Sequence, residues 1–199
     1  MEWYEAEVRA MERQASSETT GSMRPVVFYG SSSIRLWSSL AEDLGEPSIV
    51  NLGFGGSTLA ACAHFFRRLV VPRQPRSLVV YAGDNDLGDG RSSRHVFDSF
   101  RDLLGQVDAQ LGPIPFAFLS IKPSPARWAL NDAILEANRW IEAEIRSRAN
   151  LHYIDLYHSM LGPDGRPRPE LYVEDGLHLS RAGYEVWTER ILMHRNTIL

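Results

Sequence analysis

The sequence predicts an open α/β domain in which a five-stranded parallel sheet carries helices on both faces. Three observations predict it. Short apolar runs alternate with longer segments whose apolar residues recur at helical spacing. The most apolar run, Ser77-Leu78-Val79-Val80-Tyr81-Ala82, reads as a strand buried on both faces, as a central parallel strand must be. Finally, four of the runs stop at turns rich in serine, glycine, asparagine or proline, the turns that gather at the carboxyl edge of such a sheet. At 199 residues, a single domain with a substantial core is the economical reading.

Taken in order, Glu2 to Gln14 reads as an amphipathic helix with Trp3, Tyr4, Val8 and Met11 on one face. Ser16 to Ser22 is a polar linker, so residues 1–22 stand apart from a main domain over 23–199, and the helix is expected on its outside. Val26 to Tyr29 is the first strand. Ile34, Leu36, Trp37 and Leu40 then mark a helix that runs to about Asp43 and ends at Gly45 and Pro47. Ser48 to Asn51 is a short second strand leading into Gly53-Phe54-Gly55-Gly56-Ser57-Thr58. Leu59, Cys62, Ala63, Phe66 and Val70 form one helical stripe, broken by Pro72 and Pro75.

The third strand ends in Gly83-Asp84-Asn85-Asp86, and Val96, Phe97, Phe100, Leu103, Leu104 and Val107 follow at helical spacing. Ile114 to Leu119 is the fourth strand, despite Pro115, and delivers the loop Ser120-Ile121-Lys122-Pro123-Ser124-Pro125. A long helix buries Leu130, Ile134, Ala137, Ile141 and Ile145, and Leu151 to Asp155 is the fifth strand. Leu156 to Leu179 has no repeated pattern; long irregular segments in compact domains are often functional. Ser180 can cap a last helix carrying Val186, Trp187, Ile191 and Leu192.

Composition narrows the function. Formal charge is -4, with arginines scattered among acids, which argues against a nucleic-acid partner. The single cysteine, Cys62, excludes an intramolecular disulfide and reads as a small buried hydrophobe. The first residues lack a basic region followed by an apolar core, and no run reaches roughly 18 apolar residues. Neither secretion nor membrane insertion is expected, and a cytoplasmic location is favoured.

Four sites carry possible chemistry. In Gly30-Ser31-Ser32-Ser33, between strand and helix, unpaired N–H groups favour negative charge. A serine there serves as a nucleophile or only as a helix cap. In Asp175-Gly176-Leu177-His178 a carboxylate can orient an imidazole base, or the aspartate caps a turn beside a surface histidine. Asn85 can turn its amide into a pocket or only bond its own loop. Gly56 allows close approach to its N–H or simply a turn.

Together and in this order, the motifs resemble those of the SGNH hydrolases, the GDSL-like esterase/lipase family, over about Pro25 through the last helix. The first motif, Gly30 to Trp37, has Ser31 where the family usually has aspartate and resembles the Gly-Ser-Ser-Ser-Ile-Arg-Leu-Trp form found in one branch of it. The resemblance implies a Ser32–His178–Asp175 triad, with Ser33 the less favoured nucleophile, and an oxyanion hole of Ser32, Gly56 and Asn85. It implies a flavodoxin-like three-layer α/β/α sandwich with strand order 2-1-3-4-5, no cofactor and no metal. The expected reaction is hydrolysis of short-chain acyl esters, O-acetyl groups on carbohydrates among them. The alternatives are a thioesterase or phospholipid-type acylhydrolase using the same triad, and a non-enzymatic flavodoxin-like phosphate or nucleotide binder. Trp37, Tyr81, Lys122, Arg127, Trp128 and Tyr172 lie near the expected active edge and are read as its substrate-contacting rim. The partner is a small-molecule or carbohydrate acyl ester, and self-association into a homo-oligomer is left open.

Overall fold

The computed structural model describes residues 1–17 and 24–199. After a 3-10 turn at Glu2–Tyr4 comes α1 (Glu5–Ser17), so Ser16 and Ser17 extend the helix where a linker was expected. The rest of that linker lies outside the described residues. Five strands then alternate with helices: β1 (Val26–Gly30), α2 (Ser32–Arg35), α3 (Leu40–Leu44), β2 (Ile49–Gly53), α4 (Leu59–Leu69), β3 (Ser77–Tyr81), α5 (Asp84–Gly88), α6 (Ser93–Leu111), β4 (Phe116–Leu119), α7 (Asn131–Arg146), β5 (Leu151–Ile154), α8 (Arg181–Leu192) and α9 (Arg195–Ile198). All strand pairs are parallel and the order is β2-β1-β3-β4-β5, as the sequence predicts.

Alternating side chains divide the sheet between two cores, the period-two consequence of a pleated strand covered on both faces. Val27, Tyr29, Leu78, Val80, Phe116 and Phe118 pack with Val8 of α1 and the apolar stripes of α4, α6 and α7. Val26, Phe28, Val79, Tyr81, Ala117 and Leu119 face Trp37, Leu40, Tyr184, Trp187 and Ile191. The result is a three-layer α/β/α sandwich. Among the described residues no helix is long and apolar enough to cross a membrane.

The continuous helix expected from Ile34 to Asp43 is broken into α2 and α3. The chain turns between them so that Trp37 enters the core, 1% exposed, while its indole N–H donates to Asp43 Oδ2 at 2.7 Å. At β4 the strand starts one residue after Pro115, which has no N–H to give to a ladder. The long segment before α8 is not featureless: 3-10 turns at His158–Met160 and Pro169–Leu171 are joined by bridges pairing Leu161 with Pro167 and Tyr172 with Leu179.

Candidate active site

The site begins where β1 ends. Gly30 pairs with both Gly53 and Tyr81, so three strand ends lie level. Its φ is +145°, and a Cβ there would sit 1.8 Å from the Tyr81 carbonyl oxygen, which makes glycine obligatory. The Ser31 N–H donates to that same oxygen at 2.9 Å, fixing the turn. α2 follows at once and is tied to β2 by Asn51, whose Nδ2 donates to the Ile34 carbonyl at 2.7 Å.

The three serines of this turn have different surroundings. Ser31 is buried and its hydroxyl has no hydrogen-bond partner among the described residues, and Ser33 is buried with its carbonyl accepting from Tyr184 Oη at 2.9 Å. Ser32 alone faces out, its Oγ 3.0 Å from His178 Nε2. His178 Nδ1 lies 2.6 Å from Asp175 Oδ2, an arrangement that fits an Nδ1–H donated to the carboxylate and a lone pair on Nε2 for the serine hydroxyl. Asp175 Oδ1 accepts the N–H groups of Leu177 at 2.8 Å and His178 at 2.9 Å. These bonds, the His178 ring first, hold the Asp175 carboxyl at about 2, below its ordinary 3.8. The aspartate is thus anionic across the whole neutral range.

Gly56, with φ +67°, lies on the exposed loop between β2 and α4; a Cβ would meet nothing, so backbone conformation and not space favours glycine. Asn85 Nδ2 donates to the Ser57 carbonyl at 3.1 Å, bringing the amide beside the Gly56 loop. Its Oδ1 accepts from Arg127 Nη2 at 3.0 Å, and the two contacts agree on which end of the amide is nitrogen. Asp86, in the same motif, has Oδ2 accepting the Leu59 N–H at 2.9 Å and so links the end of β3 to the start of α4. Burial lifts its carboxyl above the ordinary value, and that N–H opposes the shift. Sequence reasoning saw neither the Arg127 nor the Asp86 contact.

The expected rim is corrected in part. Trp37 and Tyr81 pack in the core beneath the sheet edge, Trp187 lying 6.0 Å and 4.7 Å from their rings, and neither forms a rim. Lys122, 1% exposed, is also interior: its Nζ lies 3.4 Å from Asp84 Oδ2 and 5.9 Å from the centre of the Tyr172 ring. Tyr172 is buried and donates its hydroxyl to the Pro123 carbonyl at 2.5 Å. All four are interior: Tyr81 because it belongs to the doubly covered central strand, Trp37 and Tyr172 because they pack in the same core, and Lys122 because it turns in toward Asp84. Arg127 and Trp128 remain partly exposed, though Arg127 is engaged with Asp84 at 3.1 Å and with Asn85.

A hollow of about 710 Å³ opens elsewhere, beside α7 and β5, and holds a second pair of the same spacing, His158 Nδ1 2.7 Å from Asp155 Oδ2. That pair lacks a nucleophile. Ser93, which shares the hollow, donates its hydroxyl to the Ala133 carbonyl, and no hydroxyl reaches the His158 ring among the described residues. The hydroxyl–imidazole–carboxylate chain belongs to Ser32, His178 and Asp175.

A parallel α/β/α sandwich with this chain at the carboxyl edge of its sheet defines a serine-hydrolase type of protein. The chain belongs to the GDSL-like Lipase/Acylhydrolase family, whose model matches residues 17–186, and is an ester hydrolase. The fold is shared with a GDSL-like lipase from Bacteroides thetaiotaomicron VPI-5482 (TM-score 0.81, 22% identity, 96% of this chain and 98% of that one). It is also shared with the lipase/acylhydrolase from Enterococcus faecalis (0.68, 22%, 89% and 98%) and a carbohydrate esterase family 3 protein from Talaromyces cellulolyticus (0.67, 16%, 86% and 95%). A search of curated proteins finds no match.

Proposed function

We propose that the protein hydrolyses short acyl esters through an acyl-enzyme on Ser32, with His178 as base and acid and Asp175 as its orienting carboxylate. One observation carries this reading: the unbroken chain from Asp175 Oδ2 through the His178 ring to Ser32 Oγ, with contacts of 2.6 and 3.0 Å. As Ser32 Oγ bonds to the ester carbonyl carbon, its proton passes to His178 Nε2. The developing oxyanion is received by the N–H groups of Ser32 and Gly56 and by the Asn85 amide. Neither N–H makes a hydrogen bond among the described residues, so both remain available. Losing one such donor costs roughly 3 kcal/mol in the transition state. Collapse breaks the bond to the leaving alkoxide, which takes the proton from His178. Water then attacks the acyl-Ser32 carbonyl, gives its proton to His178, and the acid leaves as Ser32 regains its own.

Small acyl groups, acetyl on carbohydrates among them, fit best. Among the described residues no large inserted domain covers the triad, and fold relatives include an acetyl esterase and a carbohydrate esterase. The test is labelling with a serine-reactive fluorophosphonate followed by peptide mapping, with turnover measured on short aryl esters, acetylated sugars, thioesters and lysophospholipid. Label on Ser32, and loss of label and turnover in Ser32→Ala, are expected. Full turnover in folded Ser32→Ala, or loss confined to Ser33→Ala, rejects the assignment. Preference for a thioester or lysophospholipid would keep the triad and replace the substrate class.

A further inference from the structure

We propose that the N-terminal segment is a positioning element of this centre, with Tyr4 and Glu7 holding the loop that presents the Gly56 N–H; the inference rests on the oxyanion role given to that group above. Tyr4 Oη donates to the Gly56 carbonyl at 3.1 Å, and Glu7 Oε2 accepts the Gly55 N–H at 3.0 Å. The Gly55–Gly56 peptide, which carries the N–H given the oxyanion role above, therefore lies between two peptide units that are each held by a side chain from this segment. With φ of +67° at Gly56 and open space around it, the loop has no side chain of its own to fix that peptide. Left to itself it would sample several orientations, and an oxyanion donor acts only if it is aimed before the charge appears.

Glu7 reaches further. Its other oxygen lies 3.6 Å from Arg35 Nε, at the end of the α2 helix that Ser32 begins. One carboxylate thus spans the nucleophile's helix and the Gly56 loop. The segment itself is anchored independently of these contacts. Val8 is fully buried, the Tyr4 ring packs edge-on against Phe54 and Phe65, and Arg68 of α4 reaches Glu5 at 2.7 Å and Glu12 at 2.8 Å. A firmly seated helix that spends two polar side chains on the backbone of one glycine loop is poorly explained by packing alone.

Deleting the segment would strip Val8 from the core, so point variants make the test. Tyr4→Phe keeps both ring contacts and loses the hydroxyl's bonds to this loop, to the Gly56 carbonyl and to the Thr58 side chain. Glu7→Ala removes the acceptor, while Glu7→Gln keeps an oxygen for the Gly55 N–H. Tyr4→Phe and Glu7→Ala are each expected to lower kcat about tenfold with KM within about twofold, because a slightly misplaced group costs rate more than ground-state binding. Affinity for an aryl boronic acid, which forms a tetrahedral adduct on an active serine, should fall by the same factor as kcat/KM. Glu7→Gln should recover most of the loss. Wild-type kcat and boronate affinity in folded Tyr4→Phe and Glu7→Ala, or an effect on melting temperature alone, would overturn the clamp. Should wild type itself resist fluorophosphonate at Ser32, the esterase reading fails first; a labelled, active wild type with unaffected variants rejects only the clamp.

Discussion

At Asp175 a short loop holds a carboxylate in its charged form with hydrogen bonds, against the upward push that burial alone would give. The side chain is 48% exposed, yet the His178 ring and two N–H groups bring its pKa to about 2. A carboxyl depressed in the folded state contributes stability that is complete above its unfolded value of 3.8 and is lost as the pH falls through about 2. Exposure and solvent screening keep that contribution small. Asp175→Asn should therefore flatten the acid limb of the unfolding free energy between about pH 4 and pH 2, as followed by urea titration at a series of pH values. At neutral pH it should leave the fold intact and reduce kcat by about 10⁴, because an amide favours the wrong imidazole tautomer. An unchanged acid limb together with near-normal kcat would remove Asp175 from both roles. Much at this scale is legible in the chain. The order Gly30–Ser33, Gly56, Asn85, Asp175 to His178 marks the turns that meet, because each sets a chemically capable residue type where a strand ends or a helix is about to begin. Arg127 gives no such signal: its partner Asn85 is 42 residues away, and nothing in Pro125-Ala126-Arg127 distinguishes a bridging arginine from a solvated one.

The carboxyl ends of β3 and β4 show why elements are easier to read than the loops between them. Strand and helix periods report burial directly, whereas Lys122 sits after a strand in a proline-bounded loop with no period, and its charge points the reader to solvent. In the fold it is interior, and with Arg127 it faces a single carboxylate, Asp84. Burial lowers the Lys122 pKa and the Asp84 charge opposes that shift. The two cations are not equivalent in the energetics. Asp84→Asn would leave both facing a neutral amide and should cost about 3–5 kcal/mol. Lys122→Met keeps the volume and leaves Asp84 paired with Arg127, so about 1.5 kcal/mol or less is expected. Urea midpoints with unchanged slopes measure both. If Lys122→Met proved the more damaging, the lysine would be the principal partner and Arg127 a bystander. The helix break after Arg35 was equally hidden, since Ile34, Leu36, Trp37 and Leu40 satisfy a continuous helix on spacing alone. What ends α2 is tertiary: Trp37 needs the core and its N–H needs Asp43.

Over the whole molecule, the fold class follows from alternation because a parallel sheet covered on both faces is the arrangement that buries five short apolar strands joined by amphipathic helices. Alternation does not show how two residues 146 positions apart, Ser32 and His178, come within hydrogen-bonding distance. That is settled by the aromatic layer on the α8 face. Trp37 stacks on Tyr184 at 5.0 Å, Trp187 packs on Trp37 and Tyr81, and Tyr184 donates its hydroxyl to the Ser33 carbonyl. The layer joins the Ser31–Ser33 turn, the central strand and α8, which begins at Arg181, three residues after His178, and is capped by Ser180. Trp187 is fully buried, and its indole N–H reaches Met160 Sδ at 3.3 Å. Trp187→Ala should therefore cost about 3–5 kcal/mol, through lost burial and the cavity left between strand and helix. The expected reading is a lower urea midpoint without a change of slope. Fluorophosphonate labelling of Ser32 should slow even in the folded fraction at low denaturant, because Tyr184 then loses the ring that steadies it. A variant as stable as wild type would show that the cavity refills. Normal labelling in a destabilised one would show that the triad is aligned by its own loop and not by α8.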